Sequence, residues 1–459
     1  MMDFVRKKKC VLFGILGFFV FFGGATIGYA QTPPQIIPYH AETYKQNYAP
    51  DYCELDGLGK HAIFTCLMTE KLKMQARLPR AHLSISFLES GKSPWILNHD
   101  GLIKQNLQKV LAVSSNGLIL VVGGQTQNRL VALDPVAQKI MWQSDEFQHA
   151  FKAASTSDGG FILLELRHGQ NWDVDDFTVH KLDKSGKKTW FYLDHHITGF
   201  SNAVKAKQSV AGMQINKNLI VRPDGQIVVL GQAWQPKKGS PNGSFGIFVL
   251  CLDTKGQKQG QIFLENRDWQ QLVMNNQGQV VLVDQTIMYD TDWLRLTTID
   301  AKCRVIAEKT YAGWQPGNPS VGDAPLVAHL PILLPSKRND GFWAIYPAWE
   351  QADTPKTNIA QGAIFHGQIM GAFLNNSGKV DKVISLTNQK PLMVCDYQNT
   401  DDWSALKPIL RESLVLSATR TDKNYVISVF APDSGICKML LFPTLKYHVT
   451  NPAYLIFWQ

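Results

Sequence analysis

One sequence motif, here called the phrase, recurs along the chain, and it limits the possible folds more than any other feature. It consists of an apolar strand, a tight turn with Asn-Gly or Asp-Gly, a second apolar strand, a variable gap, an alternating strand ending in Leu-Asp, a short turn and a last strand that often holds Trp. The copies lie at residues 110–142, 158–190, 218–264, 270–311, 338–386 and 414–442, and residues 61–97 hold most of another.

Each copy predicts four short strands, because Asn-Gly and Asp-Gly accept the positive φ that tight hairpin turns require. Four strands in a period of roughly 43 to 65 residues are typical of a propeller blade. The sequence therefore predicts an all-β fold, a single β-propeller with seven four-stranded blades, with six or eight blades left open. A pair of β-sandwiches is the competing architecture, but sandwiches do not reuse one hairpin phrase so often.

The two ends of the repeat region predict how the ring closes. The first copy lacks its innermost strand, and residues 454–458 form an apolar run without a partner. Because open sheet edges pair with other chains, we expect residues 454–458 to complete the first blade; a loose tail is the alternative. The predicted divisions are a signal peptide at 1–30, an N-terminal extension at 31–51, a propeller at 52–446 and a C-terminal closing strand within 447–459.

The segment LVALDPVAQKIMW (130–142) resembles the repeat of the quinoprotein-like (PQQ-type) propellers, in which Trp follows Ala-Leu-Asp by eight residues. The matching positions are Leu130, Ala132, Leu133, Asp134 and Trp142. Quinoprotein dehydrogenases carry a vicinal disulfide, and this sequence has no Cys-Cys pair. The non-enzymatic branch, which includes a periplasmic scaffold of outer-membrane protein assembly, is therefore the nearer resemblance, and it implies a scaffold without a cofactor.

The first 30 residues predict export. Basic residues 6–9 precede an apolar run of 17 residues, and Gly28 and Ala30 place small side chains before a cut at Gln31. An uncleaved inner-membrane anchor is the alternative. Cleavage lowers the net charge from +8 to about +5, and no basic run remains, which argues against nucleic acid as a partner. We expect a periplasmic or secreted protein.

Six cysteines follow residue 30, and an even number in an exported chain predicts disulfide bonds. They are Cys53, Cys66, Cys251, Cys303, Cys395 and Cys437. Among the fifteen possible pairings we favour Cys53–Cys66 and Cys395–Cys437, because each pair falls within one proposed blade.

The connections predict one binding face. The turns that join the first to the second strand and the third to the fourth strand of each blade are tight, whereas the opposite connections are long and rich in Trp. Trp offers a large, rigid contact surface, and long loops on a rigid scaffold often bind partners. The predicted partner-binding residues are Trp172, Trp234, Trp293, Trp314, Trp349 and Trp403. The alternative is that each Trp seals its own blade.

The mature chain contains no nucleophile elbow, P-loop or dinucleotide-binding fingerprint. Asn171, Asp173 and Asp175 have the alternate spacing of a calcium loop, but the Gly and Glu that such a loop requires are missing. His195-His196 has no further ligand at metal-binding spacing. We therefore expect no catalytic residue, no metal and no cofactor.

These observations predict a cell-envelope scaffold, or an accessory component of an assembly or secretion machine, whose partner is a protein. Association with a membrane complex is compatible with this function. The alternative is a periplasmic quinoprotein-type or carbohydrate-active enzyme that works at the central channel.

Overall fold

The apolar runs between tight turns form antiparallel β-strands in the computed structural model. Thirty-two strands are present in the part of the chain that the structure describes. The described residues are 34–39, 48–58, 61–70, 81–87, 95–97, 107–123, 129–168, 174–194, 219–237, 240–265, 267, 270–288, 291–312, 320–321, 324–325, 331–338, 340–352, 363–387, 393–397, 415–422, 424–430, 437–439 and 453–458.

The first described strand, β1 (Gln35–Tyr39), belongs to a sheet formed mainly by the end of the chain. The next twenty strands form five four-stranded sheets, in each of which spatial order follows chain order. The first sheet contains β2 (Tyr48–Leu58), β3 (His61–Glu70), β4 (Ala81–Phe87) and β5 (Trp95–Leu97). The second contains β6 (Leu107–Val113), β7 (Ile119–Gly123), β8 (Arg129–Asp134) and β9 (Lys139–Ser144). The third contains β10 (Ala150–Ser155), β11 (Phe161–His168), β12 (Val174–Leu182) and β13 (Lys188–Asp194).

The fourth sheet contains β14 (Leu219–Val221), β15 (Ile227–Lys237), β16 (Ser240–Leu252) and β17 (Lys258–Glu265). The fifth contains β18 (Gln270–Met274), β19 (Val280–Met288), β20 (Thr291–Ile299) and β21 (Val305–Ala312). A small pair, β22 (Ser320–Val321) and β23 (Ala324–Pro325), follows it.

Two further sheets complete the described structure. The six-stranded sheet contains β24 (Ile332–Pro335), β25 (Gly341–Ala352), β26 (Ala363–Asn375), β27 (Val380–Ser385), β28 (Met393–Tyr397) and β31 (Cys437–Met439). The terminal sheet has the order β29 (Val415–Arg420), β30 (Tyr425–Phe430), β32 (Ala453–Trp458) and β1.

The fold is an all-β single propeller with six four-stranded blades, so the prediction of seven such blades is wrong. The copy at 338–386 lies instead in the six-stranded sheet. Its strand β26 is 13 residues long, and one edge of β26 pairs with β27 near one end and with β28 near the other. The repeat phrase marks the order of strands but does not show how far a hairpin continues beyond its blade.

The predicted ring closure is not confirmed. Residues 454–458 lie in β32 of the terminal sheet, where Ile456 is paired with Ile427 on one side and with Ile36 on the other. The first blade has its own innermost strand, β2, which pairs with β3. The strand is not predicted from its sequence, YAPDYCELDGL, because Pro, Asp and Glu interrupt the alternation of apolar residues. The predicted domain boundaries at residues 30 and 51 remain predictions.

The first strands of successive sheets contact one another around the ring, in the order β2, β6, β10, β14, β18, β24 and β29, and β29 contacts β2 again. The apolar core lies between adjacent sheets. Between the third and fourth sheets, for example, Leu164 and Val179 are buried with Val229 and Leu250. Burial of each such side chain contributes about 1.5–3 kcal/mol.

The Leu-Asp that ends the alternating strand of the phrase has a structural role in the turn that follows. The Asp183 carboxylate accepts hydrogen bonds from the backbone N–H groups of Ser185 (2.8 Å) and Lys187 (3.0 Å). Its hydrogen bond with the Ser185 hydroxyl is the main reason that the pKa of Asp183 lies below its usual value. Asp253, Asp300 and Asn375 accept from the equivalent N–H groups of their own turns.

The Trp in the last strand of the phrase joins one sheet to the next. Trp142 Nε1 donates to the Lys184 carbonyl at 3.1 Å, and Trp190 Nε1 donates to the Thr254 carbonyl at 3.1 Å. Each ring also covers a glycine of the turn to which it donates: Trp142 covers Gly186, and Trp190 covers Gly256. Gly186 has φ +82°, and a Cβ there would lie 2.5 Å from the Trp142 ring. Thus these two Trp residues are structural.

Candidate functional site: the arm face

Among the described hairpins that extend beyond their flanking strands, three carry one of the predicted Trp residues on a described strand. We call these extensions arms. They all join the second to the third strand of a sheet, so they lie on one face of the ring, here named the arm face. The opposite face, with the tight turns, is the turn face.

The fourth-sheet arm is the extension of the β15–β16 hairpin. Strand β14 pairs with β15 only as far as Val229, and β17 pairs with β16 only from Gly246 onward. Beyond these limits Trp234–Lys237 pairs with Ser240–Phe245, and Trp234 stands opposite Phe245. Residues 232–246 belong to the long Trp-containing connections predicted from the sequence, yet most of them are paired strand.

The longest arm belongs to the six-stranded sheet. Strand β24 pairs with β25 as far as Ile345, and the β25–β26 pairing continues to Ala352. Trp349 stands opposite Gly367, which is paired on its other side with Met393 of β28. Strand β31 then adds to β28, so this arm is a small sheet in its own right.

The fifth-sheet arm is shorter. Strand β18 pairs with β19 as far as Asp284, and the β19–β20 pairing continues to Met288 opposite Thr291. Trp293 lies at the base of this arm, opposite Thr286 and, on the other side, Ala312.

Trp234 and Trp349 occupy the same position in the repeat. Ile227 pairs with the Leu before the turn residue Asp253, and Trp234 follows Ile227 by seven residues. In the same way Phe342 pairs with the Leu before the turn residue Asn375, and Trp349 follows Phe342 by seven residues. The structure therefore brings three predicted residues, Trp234, Trp293 and Trp349, to the arms of one face. Trp172, Trp314 and Trp403 lie outside the described residues.

The turn face is closed by short turns, as the sequence indicates. Backbone N–H and C=O groups bond across the turns at 114–118, 156–160, 222–226 and 275–279. Neighbouring turns also contact each other: Arg420 Nη1 donates to Asn276 Oδ1 at 2.6 Å and to the Pro335 carbonyl at 3.1 Å. Polar turn atoms on this face are thus used to join sheets.

The third and fifth sheets each bury a carboxylate that no sequence motif predicts. Glu165 is hydrogen-bonded to His180 Nε2 at 3.0 Å and to the backbone N–H of His149 at 3.3 Å. Burial raises the pKa of the Glu165 carboxyl, but these hydrogen bonds outweigh it and hold the pKa below its usual value. The His180 and Glu165 side chains are only 6% and 9% exposed, so the pair faces the interior.

The equivalent carboxylate in the fifth sheet is Asp284. It accepts hydrogen bonds from Arg267 at 2.7 Å and from Arg295 at 2.8 Å, and Arg267 also pairs with Glu308 at 2.6 Å. Burial raises the pKa of Asp284, although the two guanidinium groups oppose that effect. No sequence motif marks either carboxylate, because each is the one acidic residue of a strand that begins with four apolar residues.

Three of the six cysteines predicted to form disulfides are bonded in the described residues: Cys66, Cys251 and Cys303. Cys251 and Cys303 form a disulfide, which is compatible with an exported protein. Cys66 is disulfide-bonded and stands opposite Cys53 in the β2–β3 pairing, and Cys395 stands opposite Cys437 in the β28–β31 pairing. The pairings Cys53–Cys66 and Cys395–Cys437 remain predictions.

The sequence segments considered for metal binding are mostly not described: Asn171, Asp173, His195 and His196 all lie outside the described residues. Within the described ranges, no group of three or more His, Cys, Asp or Glu side chains is placed to hold a metal ion. Those ranges also contain no helix long and apolar enough to cross a bilayer.

No protein-family model matches the chain, and no curated protein is significantly similar to it. Similar solved structures include BamB from Moraxella catarrhalis, with 12% identity, a TM-score of 0.37 and coverage of 93% of this chain and 99% of that one. The quinohemoprotein alcohol dehydrogenase from Comamonas testosteroni has 11% identity, a TM-score of 0.41 and coverage of 90% and 76%. The β-propeller domain of the Trilobed protease from Pyrococcus furiosus has 8% identity, a TM-score of 0.42 and coverage of 89% and 98%. At this level the similarity concerns the fold alone.

Proposed function

We propose that this protein is an exported cell-envelope scaffold that binds a protein partner through its arm face. The observation that carries the proposal is the placement of Trp234 and Trp349 at the same repeat position on two arms, with Trp293 at the base of a third. A partner bound to this face would lie against paired strands whose sequences contain these Trp residues. Trp side chains on rigid elements frequently dominate the energy of protein interfaces.

The shape of the arms supports a protein partner in particular. Among the strands that the structure describes, Trp234–Lys237 and Gln285–Met288 each have a partner on one side. We propose that an extended segment of another chain adds a strand to these arms by β-augmentation. On the turn face the backbone N–H and C=O groups are paired within tight turns.

Site-specific photo-crosslinking in the native envelope tests the proposal. A photoreactive amino acid replaces Trp234, Trp293 or Trp349 on the arm face, and Lys187 or Lys255 on the turn face serves as the matched control, because both lysines are exposed. We expect a discrete protein adduct from the arm positions and none from the lysines. An adduct pattern shared equally by both faces, or no adduct from either face, would contradict an arm-face scaffold. The second result would turn attention to an enzyme at the central channel.

A further inference from the structure

We call the contact between two neighbouring sheets of the ring a seam. The seam between the fourth and fifth sheets differs from the two seams that precede it. In the second and third sheets, the register places Trp142 opposite Ala132 and Trp190 opposite Lys181. The same position in the fourth sheet, opposite Cys251, is held by Gly260. This seam therefore has no indole to rest on the next sheet.

The turn on the other side of the seam differs in a matching way. Gly186 and Gly256 are the turn residues that the Trp rings cover at the earlier seams. In the fifth sheet the equivalent turn, Asp300–Arg304, has Cys303 at that position, and Cys303 keeps the left-handed conformation with φ +60°. Residues other than glycine rarely adopt this conformation, which Gln138 also has in the second sheet, and at Cys303 a specific contact accompanies it.

That contact is the disulfide. Cys303 is bonded to Cys251, the residue paired with Gly260, so the bond joins the third strand of the fourth sheet to a turn of the fifth sheet. A Cβ at Gly260 would overlap the Lys302 carbonyl oxygen, so the turn occupies the space that an indole would need. At this seam Gly260 stands where the earlier seams have Trp, and Cys303 stands where they have the turn Gly. The Cys251–Cys303 bond therefore takes the place of the Trp–Gly contact.

We propose that Cys251–Cys303 is a redox-dependent latch that replaces the Trp contact at this seam. In the oxidised protein a covalent bond holds the two sheets together. When a dithiol reduces it, Cys251 and Cys303 each gain one electron and one proton, and the reagent is oxidised to its cyclic disulfide. The reduced seam keeps its apolar core but has neither bond nor indole at the turn, so it opens more readily than its neighbours.

Both sulfur-bearing residues are buried, with Cys251 1% and Cys303 0% exposed. A reductant therefore reaches the bond only when the seam opens. The latch would close as the chain folds in an oxidising compartment and then persist, which distinguishes it from an exposed redox sensor.

Hydrogen–deuterium exchange on the full chain tests the latch. The oxidised protein is compared with protein treated with dithiothreitol, and alkylation with mass measurement verifies that the bond is reduced. We expect exchange at residues 251–260 and 300–304 to become about 30-fold faster or more, the low end of the cost of losing a native disulfide. Residues 182–192, at the two Trp seams, should change by less than about twofold. No acceleration at 251–260 and 300–304, or an equal acceleration at every seam, would overturn the proposal.

Cys303→Gly separates this bond from the one at Cys66. The variant restores the glycine that Gly186 and Gly256 supply at this turn position, so it removes the bond without straining the backbone. We expect it to show the fast exchange at 300–304 without reductant and no further change on reduction there. Exchange like that of the oxidised wild type would overturn the latch. If the variant does not fold, the reduced wild type still decides the question, because it is prepared from folded protein.

Discussion

Single glycine residues set how closely one sheet can approach the next. The sequence phrase predicts a Trp in the last strand and a Gly in the turn, but it does not show that Trp142 and Gly186 of successive copies belong together. Their contact depends on the radial packing of blades, which is a property of the ring. Gly378 occupies the same turn position with φ +83°, yet the nearest atom to a Cβ there is the Thr310 carbonyl at 4.0 Å.

This difference gives a prediction for two alanine variants. Gly378→Ala should cost only the left-handed backbone penalty, about 1–2 kcal/mol. Gly186→Ala adds the overlap with the Trp142 ring, so we expect a total loss of about 3–4 kcal/mol. Urea unfolding of the two variants measures the difference. Equal destabilisation would show that the indole does not press on Gly186.

The buried polar residues were not predictable from the sequence. Glu165 and Asp284 lie at equivalent positions but have different partners, His180 in one case and two arginines in the other. A lone carboxylate in an apolar strand is compatible with either exposure or burial until its cross-strand neighbours are known. The Trp residues of the arms, by contrast, were found because Trp is rare and their connections are long.

At the scale of strands, the phrase predicted β-structure well and hairpin length poorly. The segment QAWQPKKGSPNGSFG is rich in Gly, Pro and Lys, which is typical of a loop, yet most of it pairs across the β15–β16 arm. Two adjacent strands can continue their ladder even where residue preferences are weak. The same weakness hid β2, and with it the true position of the C-terminal strand.

Strand β1 should stabilise the terminal sheet by covering the edge of β32. A chain that begins at residue 41 loses five residue pairs, from Gln35 opposite Phe457 to Tyr39 opposite Ala453. We expect a loss on the order of 3 kcal/mol in the free energy of unfolding, because each net hydrogen bond contributes about 1 kcal/mol. A chain that begins at residue 34 keeps β1 and is the control. If both chains unfold at the same denaturant concentration, β1 does not stabilise the ring.

At the scale of the whole molecule, the ring supplies two unlike faces. The turn face uses its polar groups to join neighbouring sheets, whereas the arm face extends paired strands that carry Trp. The contrast between short and long connections predicted this asymmetry. The number of four-stranded blades and the pairing of β1 with β32 depend on contacts between distant segments, which periodicity alone does not determine.

The binding affinity for the partner trapped by crosslinking tests the central claim most directly. With both proteins purified, Trp234→Ala and Trp349→Ala should each weaken Kd by about 30-fold or more, because interface Trp residues often contribute about 2 kcal/mol or more. Lys187→Ala and Lys255→Ala on the turn face should leave Kd within about twofold. Wild-type affinity in both Trp variants, with weaker binding in a lysine variant, would contradict the arm face as the binding surface.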